Sequence, residues 1–198
     1  MEEILRSIKN YDYEYDDKDK IFWKNKDFVL KAIKHDPFLL IQAPNEFQKD
    51  KKFILEAVKN NGFIFEYLSK ELQDDREIVL EAVKFYGPLL KFVSGKYRND
   101  KEIIMKAIEK NAQSMFFASK ELQNDKDFVL KVAKLNGLCL EYIPIHFQND
   151  KNLVMRALKN MYLFDFIGYK KNNYKLDHDM KFNRFLLRES FKRILEIL

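Results

Sequence analysis

A single cysteine, Cys139, leaves this chain with nothing to pair internally, so no disulfide framework can hold it and packing must do so instead. Disulfide-stapled secreted scaffolds are thereby excluded, and a reducing compartment fits. Five glycines and four prolines are few for 198 residues. Few turns with special backbone angles can exist, which argues against a many-stranded sheet and leaves no glycine-rich loop to cradle phosphate. The three histidines, His35, His146 and His178, are scattered and do not form a zinc-ligand pattern. No apolar run approaches the roughly 18 residues a membrane span needs. The opening Met1-Glu2-Glu3-Ile4-Leu5-Arg6-Ser7 has neither a basic n-region nor an apolar h-region, so no signal peptide is expected. Together these absences predict a soluble cytoplasmic protein.

What is present is a repeat. Hydrophobic residues make up 46% and charged residues 34% of the chain, enough for an extended core under a solvated surface. Written in lines of 25, the sequence places Asn25, Asp50, Asp75, Asp100, Asp125 and Asp150 in one column without an insertion or deletion. The next column is always basic: Lys26, Lys51, Arg76, Lys101, Lys126 and Lys151. Position 8 holds Ala32, Ala57, Ala82, Ala107, Val132 and Ala157, and position 13 favours glycine (Gly62, Gly87, Gly137).

Each column has a physical reading. The acid at position 1 suits an N-cap. Apolar residues at positions 4, 5, 6, 8 and 9 make a helical stripe, as in Phe53, Ile54, Leu55, Ala57 and Val58. Glycine at position 13 suits a left-handed C-terminal cap. A shorter helix over positions 14 to 19 and a polar turn carrying one apolar anchor (Phe47, Leu72, Tyr97, Leu122, Phe147) complete the unit. One such pair cannot bury its stripe alone, so neighbours must stack. The pattern therefore predicts an all-α fold, an α-solenoid of about six 25-residue helix-turn-helix repeats with atypical capping helices at both ends.

The expected boundaries follow. Residues 1–24 form an N-terminal capping helix and an acidic loop, 25–173 the six repeats, and 174–198 a C-terminal capping helix, all in one continuous domain. The sixth unit starts well at Asp150 but loses its glycine, and an amphipathic helix is predicted over Asp179–Leu198.

These columns resemble a known family. The phrase Asp-Lys-Asp-Phe-Val-Leu-Lys-Val-Ala-Lys-Leu-Asn-Gly-Leu-Cys-Leu-Glu-Tyr at 125–142 is similar to the repeat catalogued as domain of unknown function 4116. So are Asp-Arg-Glu-Ile-Val-Leu-Glu-Ala-Val-Lys at 75–84 and the Leu-Ser-Lys-Glu-Leu-Gln-Asp turn at 68–74. The resemblance spans roughly 25–167. It implies a short-helix array and supplies no catalytic residues.

Candidate sites fall into two groups. Variable columns carry specificity in repeat proteins, and mid-array they hold Phe85, Tyr86, Lys91, Phe116, Phe117 and Glu141, a mixture suited to a protein or peptide partner. The second group is cationic. A base in the first turn of a helix opposes the macrodipole, so the ladder Lys26, Lys51, Arg76, Lys101, Lys126 and Lys151 needs another reason. Either it meets a polyanion or it pairs with acids of the neighbouring unit. Lys181, Arg184, Arg188 and Lys192 share one face of the final helix, where residues 150–198 carry eleven basic against six acidic residues. Cys139, His146 and Asp150 can be written as a triad, but Cys139 falls in an apolar column. The acids between Asp12 and Asp19 alternate as in a calcium loop, yet the loop's glycine is replaced by Asp17 and its bidentate Glu by Trp23.

The resulting expectation is a non-enzymatic helical-repeat binding or scaffold module with no cofactor and no metal, recognising a protein or peptide. The alternative is single-stranded nucleic acid or another polyanion bound along the basic ladder and the final helix.

Overall fold

The computed structural model of the chain describes residues 1–156, and every described regular element is helical. The chain forms two compact units, residues 1–117 and a second beginning at Ala118. The first contains α1 (Glu2–Asn10), α2 (Lys20–Trp23), α3 (Lys26–His35), α4 (Asn45–Lys49), α5 (Lys51–Asn60), α6 (Lys70–Gln73), α7 (Arg76–Phe85), α8 (Gly95–Arg98) and α9 (Lys101–Lys110). The second contains α10 (Lys120–Asn124), α11 (Lys126–Leu135), α12 (Ile145–Gln148) and a helical segment at 151–156. The later part of the sixth repeat and the predicted C-terminal capping helix lie outside the described residues.

Each 25-residue unit is built from three helical pieces where the sequence predicts two. A ten-residue α-helix (α3, α5, α7, α9, α11) opens it. A 3-10 helix follows, at Pro37–Gln42, Gly62–Tyr67, Gly87–Phe92, Ala112–Phe117 and Gly137–Glu141. A short α-helix (α4, α6, α8, α10, α12) closes it, formed by what reads in sequence as a polar turn.

The column residues explain each boundary. Carboxylate or amide oxygens at position 1 accept backbone N–H groups of the first turn: Asn25 from Phe28, Asp50 from Lys52, Asp75 from Glu77 and Ile78, Asp125 from Phe128. At position 12, Asp36, Asn61, Asn111 and Asn136 accept the N–H two residues on and start the 3-10 helix. Ser69 and Ser119 cap the short helices, accepting from Leu72 and Leu122.

A fourth column, unremarked in the sequence reading, closes the unit. Gln48, Gln73, Gln123 and Gln148 at position 24 donate their amides back to carbonyls at the end of the 3-10 helix or just beyond it. Gln73 reaches Phe65 at 2.9 Å and Glu66 at 3.3 Å. Gln48 reaches Ala43, Gln123 reaches Ala118, and Gln148 reaches Ile143. Gln73 and Gln123 are buried, so these bonds satisfy carbonyls that water cannot reach.

Packing follows the predicted stripe. Positions 4, 5, 8 and 9 are sealed in every described first helix, with Phe53, Ile54, Ala57 and Val58 all at zero exposure. In the first unit α3 packs on α5, α5 on α7 and α7 on α9, with alanine at position 8 buried throughout. The 3-10 helices form a second row, each packed on the next from Pro37–Gln42 to Ala112–Phe117. In this unit α3, α5, α7 and α9 thus make one layer and the 3-10 helices another.

Glycine at position 13 corrects the sequence reading. No glycine among the described residues has a positive φ, so none is a left-handed cap. The reason is proximity. A Cβ on Gly87 would sit 2.0 Å from Ser114 Oγ and 2.7 Å from the carbonyl oxygen of Ala107, in the following unit. A Cβ on Gly62 would meet the Phe85 side chain at 2.6 Å. The left-handed cap is at Tyr11 (φ 59°), which ends α1 with N–H bonds from Tyr11 to Ile8 and from Asp12 to Ser7. α1 packs on α3, and Trp23, edge-on against Phe28 at 5.3 Å, is buried more deeply than its neighbour Phe22.

Candidate interaction surface

A 3-10 helix has three residues per turn, so side chains three apart eclipse each other. Positions 15 and 16 point inward: Leu39, Leu40, Ile64, Phe65, Leu89, Leu90, Ser114 and Met115 are all buried. Positions 14 and 17 therefore share the outer face. They hold Phe38 with Ile41, Phe63 with Glu66, Pro88 with Lys91, and Gln113 with Phe116. Pro88 alone of these is buried.

The face is rich in exposed rings. Phe38 is 49%, Phe63 45%, Phe85 43% and Phe116 67% exposed, and Tyr67 and Tyr86 are exposed as well. They gather in groups. Phe63 meets Phe85 edge-on at 5.6 Å and Tyr86 at 5.4 Å, while Phe38 meets Tyr67 edge-on at 5.7 Å. Three rings contributed by two successive repeats thus stand together in solvent. Soluble surfaces more often scatter such residues singly, so the group is a candidate contact surface.

Local chemistry explains why the cluster sits there. Position 12 is Asp or Asn in the other described units because its oxygen must accept the position-14 N–H. In the third unit position 14 is Pro88, which has no N–H to satisfy. Position 12 is thereby released from capping duty, and Tyr86 occupies it with no side-chain cap bond. Its neighbour Phe85 is seated on Gly62, the glycine that leaves it room.

Of the six residues singled out from the variable columns, the structure brings Phe85 and Tyr86 together. Lys91 is exposed on the same 3-10 row, its ammonium 4.3 Å from the Phe92 ring centroid. Phe116 and the half-buried Phe117 form an edge-on pair at 5.6 Å farther along that row. Glu141 is exposed in the second compact unit. Phe38, Phe63 and Tyr67 were missed. For Phe38 and Phe63 the signal lay in the three-residue spacing of positions 14 and 17, invisible while that stretch is read as α-helix.

The basic ladder is engaged with acids of the following repeat. Lys26 reaches Glu56 at 2.9 Å. Lys51 reaches Asp75 at 2.8 Å and Glu77 at 3.2 Å, and Arg76 reaches Asp100 at 3.3 Å and Glu102 at 2.6 Å. Lys126 reaches Asp150 at 2.8 Å. The hydrogen bonds that Lys26, Lys51 and Arg76 donate to these acids hold their pKa values above the ordinary ones. For Lys51, Arg76 and Lys126 the first-turn position, odd for the dipole, is explained by the capping acid of the next helix beside it. Lys101 and Lys151 are exposed at the same position. Lys181, Arg184, Arg188 and Lys192 lie outside the described residues.

Cys139 lies in the core with its thiol pushed up to about 12 by burial, far from thiolate character. His146 is exposed against the Phe147 ring, and the Asp150 carboxylate is taken up by Lys126 and the N–H of Leu153. Among the described residues no group of three or more His, Cys, Asp or Glu is arranged to hold a metal ion, and no helix is long and apolar enough to cross a membrane.

Comparison with curated proteins finds no match, and comparison with solved structures finds none either. The family model described as Domain of unknown function (DUF4116) matches three times in tandem, at residues 25–73, 75–123 and 125–170. Each match begins at a position-1 capping residue and spans two of the 25-residue units, so the register of the family and that of the caps coincide. With most of its length covered in this way, the chain belongs to the DUF4116 family.

Proposed function

We propose that this protein is a non-enzymatic binding module whose 3-10 row recognises a protein or peptide partner. The observation that carries the reading is the exposed ring group of Phe63, Phe85 and Tyr86 on a rigid two-layer support. Rigid aromatic side chains lose little entropy on binding and supply large contact area, which makes them the usual anchors of interfaces. Binding by polyanions along the ladder is the weaker reading, because at Lys26, Lys51, Arg76 and Lys126 a phosphate would have to displace an existing carboxylate.

The test is a pulldown from host lysate with the wild-type chain and a Phe63→Ala/Tyr86→Asn variant, washed with nuclease and at two salt concentrations. A partner protein that survives both washes and is lost with the variant is the expected result. Nucleic acid that elutes as salt rises, equally from both chains, would sink the reading, since counterion release makes polyanion binding steeply salt-dependent.

A further inference from the structure

The ring group is joined by one carboxylate. Glu66 sits at position 17, three residues after Phe63 on a 3-10 helix, so the two side chains project along one line. Glu66 is exposed and its carboxylate has no ion-pair or hydrogen-bond partner among the described residues. It differs from Glu56, Asp75, Glu77 and Glu102, which pair with ladder cations. Lys91, at the equivalent position of the next repeat, is turned onto the Phe92 ring. Tyr67, next in sequence, carries the second aromatic pair with Phe38. On this 3-10 helix Glu66 thus follows Phe63, a member of the first ring group, and precedes Tyr67, a member of the second.

That juxtaposition selects one ligand chemistry. Ring faces carry a negative quadrupole and attract cations, and guanidinium groups also stack on them. A carboxylate beside the rings accepts the guanidinium or ammonium N–H groups with a charge-assisted bond. A phosphate or an acidic peptide would instead meet repulsion from Glu66. We infer that this face, built by Phe63, Glu66, Tyr67, Phe85 and Tyr86, docks a basic peptide segment, placing an arginine or lysine side chain over the rings with its charge on Glu66. The inference rests on the binding-module reading and narrows it to a cationic partner.

The experiment measures anisotropy of a labelled Gly-Arg repeat peptide against the full chain, with Gly-Gln and Gly-Glu peptides of the same length and an oligothymidylate as comparison probes. Four chains are used: wild type, Glu66→Gln, Tyr86→Asn, and Glu14→Gln in the acidic N-terminal loop. All three substitutions are at exposed or non-core positions, and thermal melts confirm that the variants remain folded. The expected result is binding of the Gly-Arg peptide alone, weakened about tenfold by Glu66→Gln, the loss of one charge-assisted bond, and several-fold by Tyr86→Asn, with Glu14→Gln unchanged. Gly-Arg binding that is indifferent to Glu66→Gln, or lost equally with Glu14→Gln, overturns the inference as general attraction to acids. Preferential binding of oligothymidylate or Gly-Glu, tightened by Glu66→Gln, overturns it in favour of a polyanion. If no probe binds while lysate still yields a partner that depends on Phe63 and Tyr86, the cationic specificity is wrong and the binding-module reading stands.

Discussion

Gly87→Ala is expected to damage this protein, and the same change at Gly95 to strengthen it. Neither glycine has a positive φ, so backbone strain plays no part at either site. At Gly87 the new methyl would lie 2.0 Å from Ser114 Oγ and 2.7 Å from the Ala107 carbonyl oxygen. Ser114 is fully buried and its hydroxyl donates to that same carbonyl at 3.2 Å, so turning it away leaves both groups unsatisfied. The carbonyl belongs to α9 and cannot retreat without moving a helix that is also packed on α7. Overpacking of this kind costs ~1–3 kcal/mol. A broken buried hydrogen bond adds ~1–3 kcal/mol. Stiffening of the unfolded chain returns only ~0.4–1 kcal/mol. The net expectation is about 1–5 kcal/mol lost. At Gly95 nothing lies within 4 Å of the added methyl, and the residue opens α8. Only the gain remains, about 0.4–1 kcal/mol. Urea unfolding followed by far-ultraviolet circular dichroism measures both. A third variant, Gly87→Asn, separates the causes: Asn tolerates left-handed backbone better than Ala does, but it is larger. Stability in the order Gly, Ala, Asn supports proximity. Asn above Ala, or Gly87→Ala as stable as wild type, would refute the argument.

Three further outcomes are expected. Gln73→Ala strips the buried amide that serves the Phe65 and Glu66 carbonyls and should cost ~1–3 kcal/mol in the same unfolding assay, whereas Arg98, the position-24 residue of the third unit, is exposed and should tolerate alanine within about 0.5 kcal/mol. The Cys139 thiol, raised to about 12 by burial, should stay inert to a disulfide-exchange reagent at pH 8 and react fully once urea unfolds the chain; rapid native labelling would contradict its placement. Asp74 and Asp150 are held below the usual carboxylate range by Lys96 and Lys126; for Asp75, burial pushes upward but hydrogen bonds from Lys51 and the N–H groups of Ile78 and Glu77 outweigh it. Folded values below unfolded ones mean stability that is present above about pH 4 and lost as pH falls through the depressed values, so melting temperature should hold from neutrality to about 4 and drop below it.

Much of the architecture is written locally. A capping acid, a basic neighbour and an apolar stripe recur at fixed spacing, and each acts within a few residues of itself, so the first helices and their buried faces at positions 4, 5, 8 and 9 could be read without coordinates. The middle of the unit could not. Six residues such as Gly62–Tyr67 are too short for periodicity to separate a 3-10 helix from an α-helix, and that choice decides which side chains face outward. The sequence therefore pointed to Phe85 and Tyr86 but passed over Phe63, which completes their group, and over Glu66 as its charged member.

What the sequence by itself determined is the repeat, its register, its all-α character and its family, because caps and hydrophobic periodicity are short-range properties. What only tertiary structure decided is the purpose of residues whose partners lie one unit away. Gly87 is glycine because Ala107 and Ser114 of the next repeat approach it. Lys51 and Arg76 sit against the helix dipole because the next repeat's capping acids stand beside them. The exposed rings form a group because Phe85 and Tyr86 are carried onto Phe63 by stacking, a contact across more than twenty residues that no local pattern encodes.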